Sequence, residues 1–473
     1  MAQFEKKMNL SQSRTTKNLF LFTFAALLAC ACDSPSPSSG TPDAGSSQPP
    51  PPPPPFDASG LTNFCDLPGS FQFTDSGVVQ VAGTSTQQAK DDLAKLGFVK
   101  LPAGFCLHYF GNVGNTRQLR FAPGGELFVA SPTTVTTGGG QGGHKAIMFL
   151  PDDNGDGYAD SSNVFLGNLP STQGILFTKD YFYYQDDTKI LRMPYQAGDR
   201  MAMGTSETIA DIQIYHSGLH WPKPLDEADD GTIYVGNGGD QGETCVEPHP
   251  FHGGILKLDG SSGGTPVAQG FRNPIAVRCE RGTNLCFAAE LAKDYSATQA
   301  GREKLMPIHP GDDWGFPCCA TKGTPYLPDG SNSSAVANPD CSGTAPEDAS
   351  FLIGDTPFSF DFEPGNWPAP YTKSAFVPLH GTAGGWLGAR VVAIQIDPAT
   401  GMPMSASDTD GGKSADAMTD FATGWDDGHN DHGRPAAATF AADGRLFIGN
   451  DNNGDIFWIA PLGLPLAGGA TSD

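Results

Sequence analysis

Charge is scarce in this sequence and unevenly split. Only 17% of the 473 residues are Asp, Glu, Lys or Arg, and 28 Lys and Arg stand against 52 Asp and Glu, a formal net charge of −24. A basic face is the usual footprint of phosphate binding, so this balance argues against nucleic acid as a ligand. The Ala/Glu/Lys/Leu-rich periodic runs that helical bundles and coiled coils require are also missing. The apolar run at residues 19–29 (LFLFTFAALLA) has only 11 residues, too short to cross a bilayer as a helix. None of the ten cysteines forms a CxxC pair, so zinc has no spacing in its favour.

What is present points to turns and strands. There are 60 glycines and 40 prolines, yet 38% of residues are hydrophobic, enough for a large core. We read the chain as all-β.

The N-terminus reads as a targeting segment, residues 1–29. Lys6, Lys7, Arg14 and Lys17 precede the apolar run, which has the length of a signal-peptide core. The run ends in Leu27-Leu28-Ala29-Cys30, similar to a bacterial lipobox with Cys30 as the lipidated residue. Plain secretion is the alternative. Residues 30–60 hold no hydrophobic pattern and include seven consecutive prolines, Pro49 to Pro55, a polyproline spacer of roughly 20 Å at about 3.1 Å per residue. The expected arrangement is an exported cell-envelope lipoprotein whose only membrane attachment is the N-terminal lipid. Eight cysteines remain in residues 61–473 and read as disulfides. Cys279–Cys286 is the expected local bridge, and Cys318 and Cys319 are expected to bond to distant partners.

Within residues 61–473 a unit recurs: apolar strand, glycine turn, apolar strand. It appears at 121–129, 228–235 and 440–448, whose turn glycines Gly125, Gly231 and Gly444 are successively 106 and 213 residues apart. Asp-Gly between alternating strands is a hairpin signal. Weaker copies occur at 177–184, 277–288 and 376–396. Six units predict a six-bladed β-propeller of four-stranded blades, with residues 101–110 closing the ring beside the last blade. A β-sandwich is the alternative.

Candidate chemistry lies in histidines and arginines. Six of the ten histidines form three close pairs, His216/His220, His249/His252 and His429/His432, which raises the prospect of a catalytic or metal site over scattered surface histidines. Arg272 (in GFRNP) and Arg434 (in HGRP) each precede an apolar strand and would face a common channel, where a guanidinium binds carboxylates. A structural ion pair is the competing reading. Residues 152–160 (DDNGDGYAD) are oxygen-rich like a calcium loop, but the twelfth position is Asn163 rather than Glu, so an inter-blade turn is expected.

These residues, taken in order, resemble the glucose/sorbosone dehydrogenases, six-bladed propellers that use pyrroloquinoline quinone (PQQ) and Ca²⁺. The matching stretches run from LPAGFCLHYF (101–110) through NTRQLRFAPGGELFVA (115–130), STQGILF (171–177), HSGLHW (216–221), GFRNP (270–274), GREKLMPIHPGDDWGFP (301–317) and FVPLHGTAGGWLGARVV (376–392) to GRPAAATFAADGRLFIGN (433–450). The resemblance implies oxidation of an aldose or related sugar by hydride transfer to the quinone, with a histidine as general base. His216 matches that base by motif, and His220 by its distance to the Asp230-Gly231 turn. The resemblance further implies cofactor contacts from Gln173, Arg272, Asn273 and Arg434, and calcium contact from Glu303. Carbonyl donors to the cofactor's calcium would fall at 290–293. The chain departs from the family at Tyr215, where an Asp is usual, at Ala436 in place of a second arginine, and by lacking a lysine between His380 and Arg390. Those departures motivate an alternative: a lipid-tethered module binding a glycan or protein partner through a degenerate quinone site. A calcium-dependent hydrolase of the lactonase kind is a third reading, without a convincing set of acidic ligands.

Overall fold

Each strong hairpin unit becomes the inner half of a blade. The structure, a computed structural model, describes residues 53–81, 87–134, 142–212, 220–239, 253–292, 301–325, 339–347, 349–382, 386–404, 406–407, 417–429 and 432–466. Gln118–Phe121 pairs antiparallel with Leu127–Ser131 around Gly125, whose φ of +95° is a left-handed conformation that suits glycine. Leu225–Glu227 with Ile233–Asn237, and Arg434–Phe440 with Leu446–Asp451, repeat the arrangement around Gly231 and Gly444. The copies at 177–184 and 277–288 are inner hairpins too. The copy at 376–396 is a correction. It joins Ala375–Leu379 to Arg390–Ile394, one strand farther out, behind the two-residue inner strand Asp361–Phe362. Middle strands are covered by neighbouring blades on both faces, so their apolar runs read as strongly as inner ones.

The result is a six-bladed β-propeller. Blades one, two, three and five have four strands, and blade four adds the short parallel strand Ala406–Ser407. The last blade joins the two ends of the chain: Asp455–Pro461 pairs with Phe105–Asn112, which Phe71–Thr74 and Gly77–Gln80 then extend. Residues 101–110 thus contribute most of the closing strand, as expected. Cys65–Cys106 ties the N-terminal segment to that strand, Cys279–Cys286 bridges directly opposed residues, and Cys319–Cys341 closes a third loop. Large side chains such as Phe128, Phe182, Phe287, Phe360 and Trp458 are fully buried.

One end of the central channel is lined by paired charges. Arg120 bonds the Leu225 carbonyl (2.9 Å) and lies 3.3 Å from Asp226, while Arg278 donates to the carbonyls of Phe360 and Ala438 (both 3.0 Å). These contacts involve five of the six blades: Arg120 joins blade one to blade three, and Arg278 joins blade four to blades five and six. The loop at 152–160 is a second correction: it lies within blade one, between Ala146–Leu150 and Asn163–Gly167, not between blades. Its Asp152 carboxylate accepts the amides of Gly155 and Gly157, bonds that shape the turn.

Candidate active site at the head of the channel

The inner strands all run the same way around the axis, so residues at their starts collect on one face. Arg117 precedes Gln118–Phe121, Gln173 precedes Ile175–Phe177, and His220 and Lys223 precede Leu225–Glu227. Arg272 and Asn273 open Asn273–Cys279, Phe358 precedes Asp361–Phe362, and Arg434 begins Arg434–Phe440. Every one of these side chains is buried.

His220 is positioned from below and behind. Its Nδ1 donates to the Gly239 carbonyl (2.6 Å), which leaves the Nε2 lone pair as acceptor. Gly238 permits the approach, since a Cβ there would stand 2.3 Å from that of His220. Burial, and then the nearby Arg272 cation, push the imidazole down to about 3, so it is neutral at pH 7. Burial likewise brings the Lys223 ammonium down to about 7, and its Nζ donates to Asn237 (2.7 Å). Gln185 clamps the two blades: its Oε1 accepts the amides of Gln173 (3.2 Å) and Lys223 (3.0 Å), and its Nε2 donates to the Trp221 carbonyl (2.7 Å). Gly174 allows that contact, because a Cβ would fall 2.0 Å from the Lys223 carbonyl oxygen.

Arg272 donates through its backbone amide to the Glu290 carboxylate (2.8 Å) and through Nη1 to the Ala292 carbonyl (2.8 Å). Lys304 lies 3.9 Å from the other Glu290 oxygen. Burial raises the Glu290 carboxyl, and Lys304 and Arg272 oppose it.

Across the head, Arg434 reaches Asp451 with Nε (3.2 Å) and Nη2 (3.3 Å), and His380 Nε2 donates to the same carboxylate (2.7 Å). Burial disfavours the charged carboxyl, but His380, Arg434 and Arg117 outweigh that and hold it below the usual range. Burial and Arg434 push His380 down to about 4, so at neutral pH it is a neutral donor. Phe358 stacks on His380, Trp386 lies under Arg434, and Arg117 packs against Phe358.

The fold therefore places Gln173, His220, Arg272, Asn273 and Arg434 at the starts of inner strands, on one face of the ring. Glu303 stands apart, in the third strand of blade four, where its carboxylate accepts the Thr356 amide. His216, Tyr215, His249, His252, Lys293 and Cys30 lie outside the described residues. His432 bonds Asp427 (2.9 Å) and stacks on Phe98. Sequence reasoning missed Arg117, Lys223, His380 and Asp451. Arg117 had a readable signal, an arginine directly before an apolar strand, as at Arg272. His380 and Asp451 had none, being 71 positions apart.

No calcium site is assembled among the described residues. The Ala292 carbonyl is taken by Arg272, two cations flank Glu290, and no cluster of three or more His, Cys, Asp or Glu side chains among the described residues could hold a metal. A calcium ion needs six to eight oxygens.

A family model described as a domain of unknown function, DUF7133, matches residues 99–286. No curated protein matches the chain. Among solved structures it is similar to the family AA12 carbohydrate-active enzyme of Trichoderma reesei, at 16% identity and a TM-score of 0.61, over 77% of this chain and 97% of that one. It is similar also to the PQQ domain of pyranose dehydrogenase from Coprinopsis cinerea (holo form; 16%, TM-score 0.61, 76% and 96%). A third is the PQQ-bound aldose sugar dehydrogenase of Streptomyces coelicolor (18%, TM-score 0.50, 76% and 99%). At these identities the likeness establishes the shared propeller fold.

Proposed function

We propose that the chain oxidises an aldose or related sugar with pyrroloquinoline quinone, using His220 as general base. The observation that carries this reading is the buried neutral imidazole of His220, its Nδ1–H tied to Gly239 and its Nε2 left as an acceptor, beside Arg272 at the head of a propeller. Buried polar atoms without partners support a ligand there: Gln173 Oε1, Asn273 Oδ1, and Arg117 Nε and Nη2. Such atoms are costly unless something satisfies them. Gln173, Arg272, Asn273 and Arg434 would hold the quinone, which when bound supplies the hydride acceptor.

His220 would take the proton of the sugar hydroxyl at Nε2, with the Gly239 carbonyl stabilising the imidazolium through Nδ1–H. The sequence-level expectation of a base with a near-neutral pKa is not met at this residue. His216 remains the alternative base by motif.

The single decisive experiment is reconstitution of purified protein with PQQ and a panel of aldoses, followed by absorbance and dye reduction. A spectrum that changes on adding sugar supports the oxidoreductase. One observation favours the second reading, a binding module: Asp451 already occupies Arg434, the arginine expected to meet a cofactor carboxylate. PQQ or sugar binding without any oxidation would support it. Lipidation at Cys30 and a tether over residues 30–60 complete the proposal and would place the propeller at the cell envelope.

A further inference from the structure

The inner strands have two ends. Their starts form the head of the channel, and their last residues ring the opposite mouth, where a cavity of about 740 Å³ opens. Four of the six inner strands end in phenylalanine, Phe121, Phe177, Phe362 and Phe440, and all four line that cavity. Phe121, Phe177 and Phe440 are only half-buried, so ring surface remains to be covered. Ligand pockets have this size and are mostly apolar, with a few convergent polar groups. Here five cations and five carboxylates complete the wall. Arg120 meets Asp226 at 3.3 Å, Arg278 meets Asp361 at 4.0 Å and Arg445 meets Asp443 at 2.8 Å. Glu363 is satisfied by the backbone amides of Gly365, Asn366, Trp367 and Lys373. On the rim, Lys373 acts on Glu280 and Arg281 on Glu227 through space. Among the described residues, the side chains of Glu280, Arg281 and Lys373 make no hydrogen bond.

We propose that this mouth is a second ligand site, separate from the head of the channel, and that it binds a neutral saccharide. The charges of its wall match in number, so the cavity has no net charge to draw an ion, in a chain whose net charge is −24. What remains is alternation: carboxylates that only accept hydrogen bonds stand beside ammonium and guanidinium groups that only donate. A hydroxyl does both. Lys373 is near enough to act on Glu280 but does not touch it, a gap that a sugar hydroxyl bridges. The C–H face of the same sugar ring would pack on the phenylalanines, whose π faces are electron-rich. An anionic ligand would meet Glu280 and Asp443, a cationic one Lys373 and Arg281. A purely apolar ligand would bury those charges without hydrogen-bond partners. The proposal depends neither on quinone binding nor on sugar oxidation.

The test is isothermal titration of purified protein with the neutral trisaccharides cellotriose, maltotriose and N-acetylchitotriose. Oligogalacturonate serves as the anionic probe and deacetylated chitotriose as the cationic one. At least one neutral trisaccharide should bind, and more tightly than either charged probe. Glu280→Ala and Lys373→Ala should each weaken it about tenfold or more, as expected for loss of a hydrogen bond to a charged group. Glu280→Gln, which keeps an acceptor, should recover part of the loss. Exposed Lys189→Ala in blade two should bind as wild type. His220→Ala should leave this binding unchanged, because His220 stands at the other end of the inner strands. If no neutral trisaccharide binds wild type, or a charged probe binds best, the inference is overturned. Binding that both rim variants retain in full also overturns it; where His220→Ala abolishes that binding, the sugar sits at the head of the channel and the oxidation reading stands.

Discussion

Arg434 and Asp451 are register partners across the inner hairpin of the last blade, and their side chains close the same pair, Nε to Oδ1 at 3.2 Å and Nη2 to Oδ2 at 3.3 Å. The ion pair is therefore a consequence of the Gly444 turn, which sets the first residue of one strand opposite the last of the next. Both side chains are buried, so each depends on the other.

Removing one partner should reveal that dependence. Arg434→Ala leaves buried Asp451 with only the His380 hydrogen bond and the nearby Arg117 charge, and a loss of about 3–5 kcal/mol in urea unfolding is expected. Replacing both, Arg434→Met with Asp451→Leu, should cost less than the single change. A single-variant loss below about 1 kcal/mol would show the pair to be dispensable.

His220→Ala should lower turnover by ~10²–10⁴-fold with quinone affinity nearly intact, the signature of a lost general base. His216→Ala is the control for the competing alignment. Should it abolish sugar oxidation while His220→Ala does not, the base has been placed on the wrong histidine.

Gly238→Ala should act through His220 without touching substrate. The added methyl would stand 2.3 Å from the His220 Cβ, so the imidazole or its loop must move. Overpacking of this kind costs about 1–3 kcal/mol. The expected readout is a marked fall in turnover with a circular dichroism spectrum like wild type; unchanged kinetics would remove Gly238 from the positioning of the base.

The fold should be acid-sensitive. Burial lowers His108 to about 4. A histidine at its ordinary pKa near 6.5 in the unfolded chain binds more protons than its folded counterpart between those values. Stability is thus full above pH 6.5 and lost as pH falls toward 4, by about 2 kcal/mol for this residue at pH 5. His220, lowered to about 3, adds a loss of the same sign. Denaturant titrations at pH 7 and 5 should show it, and His108→Gln should flatten the difference.

Cys30→Ser should move the protein from the membrane fraction to the soluble exported fraction. Wild type that is already soluble after export would rule out the lipid.

The propeller was legible because its signals are local. A glycine turn between apolar strands specifies a hairpin within about ten residues, and a repeat count of six leaves few closed architectures. The misplaced sixth copy shows the limit: at 376–396 a middle strand, apolar on both faces, looks like an inner one. The candidate site was legible in part. Gln173, Arg272, Asn273 and Arg434 stand at strand starts, and strand starts can be read from a sequence.

The sequence by itself determined the hairpins, the ring and the face on which its strand starts gather, since each depends on turn chemistry and alternation along the chain. Only the tertiary structure decided which charges are compensated. His380 and Asp451 come from different blades and meet because the ring closes, and that meeting holds a carboxylate that acts on both Arg434 and Arg117. The same enclosure takes His220 away from water and brings Arg272 beside it, lowering a histidine that in isolation would titrate near neutrality. Burial and pairing are properties of the assembled ring, set by distances across blades that no stretch of sequence contains.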